Sequence, residues 1–337
     1  MTGPRNIVVT TAAGNDIGWG HLARSTALAE QLGEQDRQVT FFANRFACSR
    51  LERRRLVCRP WSTHEDPRAL AAAVIARAGD ADCLIVDLPG RAGRWDELRG
   101  ELCRGARERK LVTVVFEDRP GALPVGATLV ANPNVGAYPP AGNSGPAFLA
   151  GPSYQPVRRE FRPGQPPAMK VDIERILVCL GGGITGILEQ AIGLLDRTLP
   201  GEVELLVAAG GTSIDALPER AGLLHKPDEL AAAASGCDLA VVGGGQLKSE
   251  MACLGLPALV LPTAPDQHPS CRAWAEAGGR VAWSLEQLAP AIDELRPVSN
   301  RRRLAAAGRA LVDGRGAERI ASILESLPAE PAREGEP

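Results

Sequence analysis

Short apolar runs alternate with longer helix-like segments along nearly the whole chain, and the alternation stops once and then restarts. In the first half the runs fall at residues 7–11, 39–43, 84–88, 111–116, 129–131 and 148–150. Between them, segments such as 21–32, 68–78 and 95–108 return apolar residues to one helical face. Runs without interleaved polar residues form strands covered on both faces, the habit of parallel sheets layered by helices. The break is the Pro/Gly-rich stretch Phe-Arg-Pro-Gly-Gln-Pro-Pro at 161–167, read as having no core-forming residues. Beyond it, strands are predicted at 176–180, 203–208, 239–242 and 258–261, and helices at 187–197, 228–235, 247–254, 269–277 and 304–312. A chain of 337 residues, 45% hydrophobic, can fill two cores. The expected fold is α/β: two doubly wound parallel-sheet domains, residues 1–161 and 169–327, facing across a cleft and joined by a linker at 162–168. The acidic, Pro-rich residues 328–337 are expected to be disordered.

Composition removes several classes. The 38 basic and 40 acidic side chains leave a formal net charge of −2, which argues against nucleic acid as the main partner. Arg53-Arg54-Arg55 and Arg301-Arg302-Arg303 read as solvated helix faces. The eight cysteines show no C-x-x-C pair and mostly lie in apolar segments, so buried free thiols in a reducing compartment are expected and a zinc site is not. No signal peptide or membrane-spanning run is evident, which places the chain in the cytoplasm. The one Asp-x-Asp, Asp80-Ala81-Asp82, precedes its strand and so lies at the wrong end of a sheet for a metal-assisted site. No metal and no cofactor are expected. Gly181-Gly182-Gly183-Ile184-Thr185-Gly186 matches the dinucleotide fingerprint, but the following strand ends Val207-Ala208-Ala209-Gly210 without the acid that fingerprint needs.

In open parallel sheets, ligands bind beyond the carboxyl ends of the strands. The segment after the first strand reads Asp16-Ile17-Gly18-Trp19-Gly20-His21-Leu22-Ala23-Arg24. Gly18 and Gly20 permit close backbone approach, and His21, in the first helical turn, is the candidate general base. Asp87 ends a central strand, where it can orient His21 or hold a sugar hydroxyl. Glu117 and Asp118 end the next strand. In the second half Gly243-Gly244-Gly245-Gln246 opens a helix whose backbone N–H groups suit a diphosphate. Ser249 and Glu250 follow, and the Glu250 carboxylate suits a ribose diol. Thr263 and Gln267 follow the next strand. Gly182 and Gly183 form a further turn that faces phosphate or acceptor.

These segments, in this order, resemble the UDP-sugar hydrolase of pseudaminic acid biosynthesis and the related spore-coat polysaccharide proteins. They are more distantly similar to glycosyltransferases of the GT-B fold, including the peptidoglycan N-acetylglucosaminyltransferase. Residues 16–24 look like the family's G-x-G-H-x-x-R; Phe116 to Asp118 and Asn132 to Asn134 match its F-D-D and N-x-N; Gly151-Pro152-Ser153-Tyr154 with Arg159-Glu160-Phe161 matches its G-x-x-Y and R-x-E-F. Cys179 to Gly182 resembles its M-G-G turn. The resemblance implies a metal-independent enzyme that cleaves the anomeric C–O bond of a nucleotide sugar, a UDP-sugar by analogy, with inversion. His21 is then the catalytic base with Asp87 beside it, and Gly18, Gly20, Arg24, Asp118, Asn132 and Tyr154 face the sugar or acceptor. Gly182, Gly183, Gly244, Gly245, Gln246, Ser249, Glu250 and Gln267 face the nucleotide. Water is the expected acceptor. Transfer to a small-molecule acceptor is the alternative, and an inactive nucleotide-sugar-binding protein is a second. One departure bears on the choice: where the family has D-H-Y-G, this chain has Asp87-Leu88-Pro89-Gly90, without the His and the Tyr.

Overall fold

The computed structural model describes residues 3–90, 93–119, 121–122, 124–142, 145–162, 164–182, 185–210, 214 and 216–327. The first sheet is built from β1 (Asn6–Thr11), α1 (Gly20–Gly33), β2 (Gln38–Asn44), α2 (Arg45–Arg53), β3 (Val57–Trp61), α3 (Pro67–Arg77), β4 (Cys83–Asp87), α4 (Arg94–Glu108), β5 (Val112–Phe116), β6 (Leu129–Asn132) and β7 (Ala147–Ala150). Its seven strands lie in the order β3-β2-β1-β4-β5-β6-β7, all parallel. The second contains β8 (Arg175–Cys179), α5 (Thr185–Thr198), β9 (Glu204–Val207), β10 (Ala221–Leu223), α6 (Leu230–Ser235), β11 (Leu239–Gly243), α7 (Gln246–Leu254), β12 (Ala258–Leu261), α8 (His268–Glu276), β13 (Arg280–Val281), α9 (Leu288–Glu294) and α10 (Val298–Leu311). Its six parallel strands run β10-β9-β8-β11-β12-β13.

The apolar runs account for the middle of each sheet. Every residue of β4, β5 and β11 is buried, because helices cover both faces of these strands. Leu70, Val74, Leu98 and Leu102 pack with Leu84 and Val86 in the first core; Leu188, Ile192 and Leu195 pack with Ile176 and Val178 in the second. Removing one such side chain costs about 2–5 kcal/mol. Three strands that no apolar run announced, β3, β10 and β13, sit at sheet edges. The β3 residues are largely exposed, so the strand needs no continuous apolar stretch.

The chain groups into two compact units: residues 1–17, 21–156 and 315–337, and residues 18–20 and 157–314. This division differs from the sequence reading at both ends of the second domain. Residues 157–161 belong to the second unit, where Phe161 is fully buried and the Arg158 guanidinium lies 4.6 Å above its ring. Helix α11 (Gly316–Ser326) belongs to the first. Its buried stripe of Ala317, Ile320, Ala321 and Leu324 is covered there, and Arg319 donates to the Ser153 carbonyl at 2.8 Å. A Cβ on Gly316 would sit 2.2 Å from the Gln155 carbonyl oxygen, so the helix enters at a point only glycine permits. The tail expected at 328–337 lies outside the described residues, as does Pro163 of the linker.

Two further expectations are corrected. Cys48 and Cys58 form a disulfide across the α2–β3 turn, with Cα atoms 5.4 Å apart; α2 leaves the end of β2 and β3 returns beside it, which brings the two thiols together. The other six cysteines are free and buried. Arg301 is not solvated: it is 0% exposed and donates to the carbonyls of Leu295, Arg296, Lys170 and Val171. Arg302 and Arg303 do face solvent. Among the described residues no helix is long and apolar enough to cross a membrane.

Candidate functional site

Each sheet reverses its strand order once, between β1 and β4 in the first and between β8 and β11 in the second. Such a reversal sends the flanking connections to opposite faces and leaves a crevice at the carboxyl edge. The candidate residues gather at these two places, one cluster in each unit.

In the first unit, Asn44 at the end of β2 fixes the loop that follows β1. Its Oδ1 accepts from the Ala13 N–H at 3.1 Å and its Nδ2 donates to the Ala13 carbonyl at 2.7 Å. Gly18 then takes a φ of 83°, in the region that favours glycine, and the chain enters α1. His21, Arg24 and Ser25 stand at i, i+3 and i+4 of that helix, hence on one face. All three reach Asp87, at the end of the neighbouring strand and paired with Thr11. His21 Nδ1 lies 2.8 Å from Asp87 Oδ1, Ser25 Oγ donates to Oδ2 at 2.8 Å, and Arg24 donates from Nε at 2.9 Å and from Nη2 at 2.7 Å. Arg24 also donates to both oxygens of Asp118, at 2.6 and 2.9 Å, and stacks over the Phe116 ring at 4.9 Å.

Donor counting settles the tautomer. His21 Nδ1 is also 3.1 Å from Arg24 Nη2, but that nitrogen has two N–H bonds and both are committed, to Asp87 Oδ1 and Asp118 Oδ2. A carboxylate has no proton to offer, so the proton between His21 and Asp87 resides on Nδ1, and Nε2 carries the lone pair. Burial opposes ionisation of Asp87, which is 0% exposed. The Arg24 guanidinium and the His21 N–H outweigh it and hold the carboxyl below its ordinary range. Asp118 is likewise held low against burial by Arg24 and by Asn134, whose Nδ2 donates to it at 3.2 Å. One buried carboxylate thus fixes an imidazole by its near nitrogen, a geometry that can serve acid–base chemistry at the far one.

Asn132 is corrected. It is 0% exposed, donates to the Arg119 carbonyl at 3.1 Å and accepts from the N–H and the Nδ2 of Asn134. It buttresses Asn134. Tyr154 lies in the 3-10 turn Pro152–Tyr154, and no hydrogen bond among the described residues joins it to His21 or Asp87. Beside the cluster, Glu117 and Arg99 form a buried pair at 2.7 Å, completed by Arg119 and Asp96. Asp80 and Asp82 are at the opposite edge of the sheet, where Asp82 accepts from the N–H groups of Arg5 and Asn6.

In the second unit, β11 runs into Gly243-Gly244-Gly245 and then α7. A Cβ on Gly243 would lie 2.1 Å from the Leu180 carbonyl oxygen and one on Gly244 2.6 Å from Cys271 Sγ, so these glycines admit the turn against β8 and α8. Gln267 ties this turn to the loop after β12: its Oε1 accepts from Gly244 N–H at 3.2 Å and Thr263 N–H at 2.9 Å. The Gly244 N–H is therefore not available to a diphosphate, a correction that leaves Gly245 and Gln246 at the helix start. Ser249 is buried behind them. Glu250 is 0% exposed and receives Arg158 bidentately, Nε to Oε1 at 2.7 Å and Nη2 to Oε2 at 2.8 Å. A ribose reaches this carboxylate only if Arg158 gives way. Lys248, which no motif singled out, is buried and donates to the Gly244 and Gly245 carbonyls at 2.7 and 3.3 Å. Gly182 follows β8; Gly183 lies outside the described residues.

Ser25, Asn134 and Arg158 were missed. The helical spacing of His21, Arg24 and Ser25 is a signal that was present in the sequence. Asn134 stood in the N-x-N match, but its bond to Asp118, 16 residues away, left no mark there; Arg158 gave no signal, because its partner lies 92 residues away.

The two parallel sheets and their helices are the two-domain α/β architecture of GT-B glycosyltransferases. The solved structures alike in fold include the glycotransferase of kitacinnamycin (TM-score 0.68, 15% identity, 97% of this chain and 100% of that one). They also include spinosyn rhamnosyltransferase SpnG complexed with thymidine diphosphate (0.66, 18%, 94% and 99%) and MurG of Acinetobacter baumannii (0.63, 18%, 96% and 100%). Among curated proteins, the chain is 25% identical to the spore coat polysaccharide biosynthesis protein SpsG of Bacillus subtilis (strain 168), over 93% of this chain and 96% of that protein. No protein-family model matches.

Proposed function

We propose that the chain is an inverting glycosyltransferase that moves a sugar from a nucleoside diphosphate to a hydroxyl of a small-molecule acceptor. The observation that carries this reading is the His21–Asp87 pair at the strand-order reversal, with Nε2 left as the base. His21 Nε2 takes the acceptor proton as the acceptor oxygen forms its bond to the anomeric carbon. The bond from that carbon to the diphosphate oxygen breaks, and the nucleoside diphosphate leaves with the electron pair. Asp87 stabilises the imidazolium formed in that step, and Arg24, itself held by Asp118, keeps Asp87 in place. Gly18 and Gly20 shape the sugar side, with Tyr154 in the acceptor region. On the nucleotide side, Gly182, Gly245, Gln246 and Gln267 form the diphosphate-facing turns, backed by the buried Ser249, and backbone N–H groups there meet the leaving charge without a resident metal. Glu250 takes the ribose in exchange for Arg158.

The names of the neighbours favour transfer: several are glycosyltransferases, one complexed with thymidine diphosphate and another structure of it with spinosyn aglycone. Leu88 and Pro89 in place of the hydrolase-like His and Tyr point the same way. Hydrolysis is the second reading, supported by the order of the motifs, with water in the acceptor's place. Uridine remains the base suggested by that resemblance, and thymidine is its rival.

A thermal-shift series against UDP, TDP, CDP, GDP, ADP, CMP and NAD tests the nucleotide reading. Stabilisation by one diphosphate names the donor, since a ligand bound only to the folded chain raises its melting temperature. Stabilisation by NAD alone, or by none, overturns it. With the donor known, turnover in isotopically labelled water separates the two readings: label in free sugar means hydrolysis, and an unlabelled glycoside means transfer. Binding without turnover at any pH means an inactive nucleotide-sugar-binding protein.

A further inference from the structure

The Arg53-Arg54-Arg55 run plays no part in the site and belongs to a larger feature. Residues 45–60, covering α2 and the edge strand β3, carry six arginines against one glutamate, in a chain whose formal net charge is −2. Arg54 is neutralised by Glu30 at 2.7 Å. Arg45, Arg53 and Arg55 are exposed and have no ion-pair partner among the described residues. Arg59, also exposed, lies on the other face of the sheet, over the Phe42 ring at 5.6 Å and donating to the Arg77 carbonyl at 3.2 Å, and is not part of this surface.

An apolar group stands among these charges. Phe46 is 39% exposed, one of the few large hydrophobic side chains left in solvent. Helix α2 buries Ala47, Cys48 and Leu51 inward, which turns Phe46, Arg50 and Arg53, at i, i+4 and i+7, to the outer side together. An aromatic ring flanked by guanidinium groups on an outward helix face is the composition of a helix that lies on an anionic interface: the ring enters the acyl boundary while the arginine heads meet phosphates. A soluble polyanion would use the arginines but gain nothing from Phe46.

We propose that the outer face of α2, with the turn that follows it, is a docking surface for an anionic lipid bilayer. The inference is independent of the reaction assigned to the cluster around His21. The full-length protein is sedimented with phosphatidylcholine vesicles and with phosphatidylglycerol-rich vesicles at low and raised salt. It is expected to bind only the second kind. The triple variant Arg45→Gln, Arg53→Gln, Arg55→Gln is expected to partition more weakly by on the order of a hundredfold, each arginine contributing about fivefold near such a surface. Single Arg53→Gln serves if the triple variant melts early. Phe46→Ser should remove the part of binding that survives salt, and Arg302→Gln with Arg303→Gln, exposed in the other unit, should change nothing. Failure of the wild type to bind phosphatidylglycerol-rich vesicles overturns the proposal. So does undiminished binding by the arginine variants, an equal loss in the Arg302 and Arg303 control, or binding to heparin or nucleic acid without vesicles.

Discussion

Replacing Asp87 with Asn separates the catalytic meaning of the His21 cluster from its structural one. The side chains are nearly isosteric, so the change is one of charge and proton. Asn brings an N–H where the carboxylate had only lone pairs. If that amide donates to His21 Nδ1, the imidazole proton moves to Nε2 and the base is blocked. Loss of the orienting carboxylate costs a factor of roughly 10³–10⁴ in kcat, about 4–5.5 kcal/mol of transition-state stabilisation. Arg24 also loses one of its two carboxylates in a nearly dry place, at 5% exposure. Breaking a buried ion pair costs about 3–5 kcal/mol, and the remaining Asp118 contacts place this case near 3. The assays are turnover of the donor found by thermal shift, the denaturant midpoint, and the nitrogen-15 shifts of the His21 ring, which report the tautomer without any substrate. The wild type should show Nδ1 protonated and the variant Nε2. A folded Asp87→Asn variant within tenfold of wild-type kcat, or a wild type with its proton on Nε2, refutes the assignment.

The depressed carboxyls set the acid limit of the fold. Asp87, Asp118 and Glu117 all titrate below their ordinary range, so the stability they contribute is present above the unfolded range of about 4 and is lost as pH falls through the folded values. Acid melts of wild type against Asp118→Asn should show a shallower limb in the variant. Glu250→Ala is expected to weaken nucleotide binding about tenfold to a hundredfold, the worth of a charged hydrogen-bonding partner; normal affinity in a folded variant with a lowered melting temperature would leave Glu250 only the role of anchoring Arg158. Thiol titration in denaturant without reductant should count six reactive cysteines and, after reduction, all eight; eight in both would deny the Cys48–Cys58 bond. Added chelator should leave turnover unchanged, and a loss of rate would show that the diphosphate is met by a metal after all.

The sequence by itself determined the class of fold, because strands buried on both faces must be apolar at every position. That requirement wrote β1, β4, β5, β8, β11 and β12 into the chain as visible runs. It also determined which chemistry stands at the strand ends, since residues just after an apolar run have few other places to go. Three of the four edge strands escaped notice for the same reason in reverse: β3, β10 and β13 are covered on too little surface to need a run. Tertiary structure decided how the polar groups pair. Asp87 meets His21 and Arg24, partners more than 60 residues away, because β1 and β4 are neighbours at the reversal of strand order. Asn132 turned inward while Asn134 reached Asp118, and the Gly244 N–H went to Gln267. Arg301 found four carbonyls where its neighbours found solvent, and α11 crossed back to the first unit. A local sequence records burial through hydrophobicity, but a hydrogen bond leaves no mark on the residues between its partners, so only the folded chain shows which donor meets which acceptor.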